Sequence, residues 1–209
     1  MKKSTLQFFA IALLLSAAAR ARADQISWSY SFSASSPTIQ SNGAAADAGY
    51  ISVSALQGTL TGTLPMATSI TAANLEAFST ASAKTPATFN NVEYTLTMKL
   101  TDLSSGLQAA VTFEGMLNGT VSASGSSLTN TFVGQKSFSY NLNHHIYDIT
   151  VGYFGQPGAP GSTDLGRINV NVTVHHNPEP SSFLLGALGL PALGLFRRRR
   201  CGQTLPANE

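Results

Sequence analysis

Four histidines stand as two adjacent pairs, His144-His145 and His175-His176. Neighbouring side chains in extended backbone face opposite ways, so neither pair can turn both rings on one metal ion. A metal centre would need one ring from each pair, joined by Asp148 or Glu114. Solvated strand-end histidines are the plainer reading, and neither a metal nor any other cofactor is expected. Glycoside hydrolysis needs two carboxylates flanking a cleft, and Glu93 and Glu114 are the obvious pair. Each falls on the polar side of an alternating segment, where a carboxylate usually serves solubility. The chain has no Gly-x-Ser-x-Gly elbow, no His-Glu-x-x-His helix and no glycine-rich phosphate loop. The expected function is non-catalytic, with a secreted hydrolase built on Glu93 and Glu114 as the least favoured alternative.

Aromatic residues offer a second chemistry, the stacking of sugar rings. Trp28 and Tyr30 could form such a platform, but they share an apolar row with Ile26 and Phe32, which assigns them to a core. Tyr153 and Phe154 border the loop Gly155-Gln-Pro-Gly-Ala-Pro-Gly161 and are the better candidates for exposed rings. Thr59, Thr61 and Thr63 set three hydroxyls on one strand face, as flat ice-binding surfaces do. A single short row without an internal repeat reads instead as a solvent-facing strand. Asn118-Gly-Thr120 and Asn171-Val-Thr173 match the N-glycosylation pattern, and no modification is expected there.

These residues must be positioned by strands. From Ile26 to Ser33, apolar Ile26, Trp28, Tyr30 and Phe32 alternate with serines, the period-2 signature of a half-buried strand. Val92 to Thr101 and Arg167 to Val174 repeat the pattern. Weaker versions run through 51–55, 59–64, 111–121, 128–133, 138–142 and 147–153. Segment 66–78 is open: Leu75, Glu76 and Ala77 suit a helical turn, while Ile70 and Thr71 suit a strand. Nine or ten strands with one apolar face each bury those faces best as two stacked sheets. The expected fold is all-β, an antiparallel two-sheet β-sandwich of jelly-roll type over residues 24–177.

Charge is scarce and unevenly placed. Only 11% of the 209 residues are charged, against about a quarter in an ordinary soluble domain. Eight of the twelve Lys and Arg residues lie in 1–23 or 197–200. The body, 24–177, carries eight acids against four bases, and 40 of its 154 residues are Ser or Thr. Such a body is disfavoured as a nucleic-acid binder. Its hydroxyl-rich surface suits contact with hydroxylated polymers. Cys201 is the sole cysteine, so packing alone must stabilise the body.

The ends read as addresses. Lys2 and Lys3 precede an apolar stretch from Leu6 to Ala19, and Ala21-Arg22-Ala23 supplies a small-x-small site for signal peptidase. Residues 1–23 are therefore expected to be a signal helix, cut to leave Asp24 first. Pro178-Glu179-Pro180 is followed by the apolar run 183–196 and by Arg197, Arg198, Arg199 and Arg200. Fourteen residues fall short of the ~20 that span a bilayer stably. Three glycines and Pro191 weaken that run further as a transmembrane helix. The arginines would stay on the cytoplasmic side. Residues 201–209 are expected to trail as a disordered tail.

The order of these three elements over 178–200 resembles the PEP-CTERM sorting signal of exported bacterial proteins, a tail that also appears on proteins described as ice-binding. The resemblance implies a membrane-embedded exosortase that acts at Pro178-Glu179-Pro180. It further implies delivery to the cell surface or to an extracellular polysaccharide matrix, the setting of a biofilm. The reading that follows is an exosortase substrate with a structural or adhesive role at the cell envelope. A carbohydrate-binding module is the first alternative, and an ice-binding protein is a weaker one. Expected partners are signal peptidase, exosortase and extracellular polysaccharide.

Overall fold

The structure, a computed structural model, describes residues 24–43 and 48–177. Those residues form eleven strands: β1 (Gln25–Ala34), β2 (Thr38–Gln40), β3 (Gly49–Ala55), β4 (Gln57–Thr63), β5 (Met66–Ser79), β6 (Ala87–Asp102), β7 (Gln108–Ser122), β8 (Gly125–Val133), β9 (Ser137–Leu142), β10 (His145–Gly155) and β11 (Gly166–His176). They pair into a five-stranded sheet, β4-β1-β6-β7-β8, and a six-stranded sheet, β2-β3-β5-β11-β10-β9. Every pairing is antiparallel. The body is thus all-β and sandwich-like. The chain changes sheet four times between β1 and β6, then runs through two successive meanders, β6-β7-β8 and β9-β10-β11.

The alternation read in the sequence becomes the core. Ile26 and Trp28 of β1, Leu96, Met98 and Leu100 of β6, and Val111, Phe113 and Leu117 of β7 are buried from the five-stranded side. Ile70 and Leu75 of β5, Tyr147 and Ile149 of β10, and Val170, Val172 and Val174 of β11 meet them from the other. Each large apolar side chain removed from water stabilises the fold by about 1.5–3 kcal/mol before ordering costs are counted. With no disulfide available, this layer supplies the stability.

Three irregularities break the period. In β5 the register against β11 shifts between Ala73 and Thr71. Both Ala72 and Ala73 are buried, so the inward row passes from Ile70 to Leu75. The segment left open between helix and strand is therefore a 14-residue strand; its displaced parity, not helical preference, blurred the pattern. In β6 the shift falls between Phe89 and Val92, with Asn91 at φ 49. Asn tolerates that left-handed conformation better than most residues. In β10 the shift lies between Val151 and Phe154. Each extra residue turns one side chain to the other face.

Candidate functional site

The most connected polar cluster among the described residues lies where β6 ends. Asp102 continues the inward row of Leu96, Met98 and Leu100, a place where an apolar residue would be expected, and it is 0% exposed. Its Oδ1 accepts from the backbone N–H of Ser104 (2.8 Å) and Ser105 (3.0 Å) and from the Ser104 hydroxyl. These bonds shape the turn between β6 and β7, in which Gly106 takes φ 72 and its N–H donates to the Asp102 carbonyl at 2.8 Å. Oδ2 reaches across to the opposite sheet, 2.6 Å from His145 Nδ1 and 3.0 Å from the Tyr147 hydroxyl of β10. One carboxylate thus closes a hairpin and joins the two sheets.

The cluster continues to the body's two ends. His145 and His176 face each other in register between β10 and β11, with ring centroids 6.3 Å apart. Asp24 Oδ2 lies 3.7 Å from both His145 Nε2 and His176 Nδ1. One ring of each pair meets its counterpart beside Asp24, and the expectation of solvated strand-end rings is corrected at His145, which is only 6% exposed because Asp102 draws it between the sheets. Asp148 instead sits 3.5 Å from His175 Nδ1, and Glu114 lies on the five-stranded sheet. No group of three or more His, Cys, Asp or Glu able to hold a metal occurs among the described residues.

Serine, histidine and aspartate together invite comparison with a nucleophilic triad, but the connectivity differs. Ser104 bonds to the carboxylate, not to the imidazole. Nδ1 of His145 is taken by Asp102 and Nε2 faces Asp24. A triad needs its hydroxyl on the imidazole, so this cluster acts as a clamp between sheets.

Burial alone would raise the Asp102 carboxyl. The Ser104 hydroxyl, the His145 ring, the Ser105 N–H and the Tyr147 hydroxyl outweigh it and hold the pKa at about 2, below the ordinary 3.8. Tyr147 is pushed far upward by burial and by the adjacent carboxylate, so it stays a donor. In acid the unfolded chain takes up the Asp102 proton first, so this contribution is complete above about pH 4 and is lost as pH falls towards about 2. It amounts to roughly 2 kcal/mol, which acid titration of unfolding midpoints measures, with Asp102→Asn losing that part of the slope.

The outer face of the five-stranded sheet carries the other expected residues. Glu93 lies opposite Met116 and Glu114 opposite Thr95, which makes the two carboxylates diagonal neighbours. They line a shallow hollow of about 180 Å³ together with Val133. Thr59, Thr61 and Thr63 are exposed on β4 as expected. They extend into a wider hydroxyl field, since Ser29 pairs with Thr59 on one side and Thr101 on the other. Several of these hydroxyls satisfy one another, Ser27 with Thr61 at 3.1 Å and Thr97 with Thr112 at 2.9 Å. Lys99 interrupts the field.

Trp28 is fully buried and packs edge-on against Tyr147 at 6.1 Å, a core residue as its row implied. Asn118 Oδ1 accepts from the Asn91 N–H at 2.9 Å, which ties β7 to the β6 bulge. Asn171 is exposed on β11.

Tyr153 and Phe154 frame a different feature. β9 pairs with β10 only as far as Thr150, so the last residues of β10 have a free edge. There β10 and β8 border an open groove of about 610 Å³, lined by Leu128, Thr129, Asn130, Phe132, Gly152, Tyr153, Phe154 and Gln156. The β10 bulge explains the ring's position. Strict alternation would carry Tyr153 into the buried row of Ile149 and Val151. The extra residue gives that row to Phe154, which pairs with buried Ile168, and leaves Tyr153 65% exposed.

Pro178, Glu179, Pro180, Arg197, Arg198, Arg199, Arg200, Ala21 and Ala23 lie outside the described residues, as do the expected signal helix, the apolar segment 183–196 and the tail 201–209. Comparison with protein-family models, with curated proteins and with solved structures finds no match to this chain.

Proposed function

We propose that the chain is an exported, non-catalytic protein that a PEP-CTERM-type exosortase sorts to the cell surface or extracellular matrix. Its sandwich, which we read as a jelly-roll variant, serves there as a structural or adhesive body. The observation that carries this reading is the order of Pro178-Glu179-Pro180, the apolar run 183–196 and Arg197 to Arg200. The short apolar run suits a transient stop in the membrane rather than a lasting span.

The placement of the body's ends supports it. The Leu64 N–H donates to the Asp24 carbonyl at 3.0 Å, and the Asn177 N–H donates to the His144 carbonyl at 2.8 Å. With Asp24 beside His176, both junctions to the sorting segments leave from one end of the sandwich. A body held there turns its opposite end away from the membrane.

Replacing Pro178-Glu179-Pro180 with three alanines is expected to leave an uncut precursor in the membrane fraction, while the native chain yields a shorter mature mass beginning at Asp24. Intact mass spectrometry of envelope and medium reads both termini. An unchanged mature mass and location in the variant would refute the sorting reading. A second reading, recognition of carbohydrate, is favoured by the aromatic groove at Tyr153.

A further inference from the structure

The geometry points to the groove between β8 and the free end of β10 as a binding site for a neutral polysaccharide, a proposal that deepens the carbohydrate reading above. Several features converge there. Tyr153 is the most exposed of the large apolar and aromatic side chains on the body, and a bulge puts it there. Bulges commonly re-aim a side chain beside a site. Phe132 and Phe154 line the same groove and are only partly buried. An apolar ring face set beside polar groups suits a pyranose, whose C–H face stacks while its hydroxyls seek hydrogen bonds.

Amides supply the polar part. Gln156 accepts from the Leu128 N–H at 3.3 Å and so ties the groove's two walls together. Asn130 spends Oδ1 on the Tyr94 hydroxyl at 3.0 Å, and its Nδ2 is shielded without an acceptor among the described residues.

The lining sets the ligand's charge. No Lys, Arg, Asp or Glu borders the groove, so nothing in it pairs with a uronate, a sulfate or a phosphate. An open groove of this size suits a stretch of sugar chain. The inferred ligand is therefore a neutral hexose polymer.

Native gels containing dissolved neutral glucan or galactomannan test this with the full chain, and gels containing alginate serve as the anionic arm. The expected result is retardation in a neutral gel, none in alginate, and at least a roughly tenfold weaker interaction for Tyr153→Ala. Tyr153→Phe, which keeps the ring, is expected to remain within about threefold of the native chain. Tyr153 is mostly exposed, so neither change threatens the core. Equal retardation of native chain and Tyr153→Ala would overturn this groove while leaving carbohydrate recognition standing elsewhere on the body. No retardation in any neutral gel, or stronger retardation in alginate, would overturn the groove and the neutral-carbohydrate reading together. The sorting proposal is judged separately, by the mature mass of the Pro178-Glu179-Pro180 variant.

Discussion

Asp102→Ala is expected to lower the unfolding free energy of residues 24–177 by about 4 kcal/mol, measured by urea titration. The size follows from what one carboxylate holds. It accepts from the Ser104 and Ser105 N–H groups and the Ser104 hydroxyl within its own hairpin, and it meets His145 and Tyr147 of the opposite sheet. Alanine would leave these groups facing a void in a place shut off from water. A buried donor without an acceptor costs about 1–3 kcal/mol. Asp102→Asn keeps an oxygen for the turn but sets an amide where Tyr147 donates, so roughly half the loss is expected. Tyr147→Phe removes only one donor from a carboxylate with several others and is expected to cost about 1 kcal/mol. If Asp102→Ala shifted stability by less than about 1 kcal/mol, the clamp would not be what joins the sheets.

The sequence exposed the sheets wherever alternation runs unbroken. Ile26 to Ser33, Val92 to Thr101 and Arg167 to Val174 all lie within strands, with their apolar rows inward. It was least legible where parity breaks. Ala72 and Ala73 are both buried across the β5 bulge, and a reader counting by twos loses the strand at that point. β2 has three residues and only Ile39 buried, too short to show any period. In the sequence, Asp102 looks like a turn residue, an isolated aspartate after an alternating run. It is one, through Oδ1, but its second oxygen belongs to a long-range network with His145 that no local pattern carries. One signal was present: Asp102 occupies the next inward position after Leu96, Met98 and Leu100. The neighbouring loop marks Tyr153 as an exposed aromatic, although the cause of its exposure is the bulge beside it. Phe132 and Asn130, which complete that groove, come from a strand whose edge position appears only once the sheets are assembled.

Gly119→Ala is expected to destabilise the body by at least about 3 kcal/mol, close to the Asp102 effect but for a backbone reason. Gly119 lies between Phe89 of β6 and Leu128 of β8 in the paired sheet, with φ 130. A side chain there is strained in any surroundings. A Cβ would also stand 2.1 Å from the Ser127 carbonyl oxygen and 3.0 Å from the Leu128 Cα. Both obstacles are backbone in a hydrogen-bonded strand, so neither can rotate aside as a side-chain tip would. The strain would spread, because the neighbouring Asn118 accepts from the Asn91 N–H in the β6 bulge. That bulge is in turn held by Asn42, whose Oδ1 accepts from the Asn90 N–H at 2.8 Å and whose Nδ2 donates to the Asn90 carbonyl at 2.9 Å. Gly106→Ala separates the two causes. Gly106 has φ 72 but nothing within 4 Å of the added carbon, so only the conformational cost of about 1 kcal/mol remains. Urea midpoints of the two variants, compared with the native body, decide the matter. Equal losses would mean that β8 yields to the new methyl group and that the close approach of β7 and β8 at Gly119 is not a constraint on the fold.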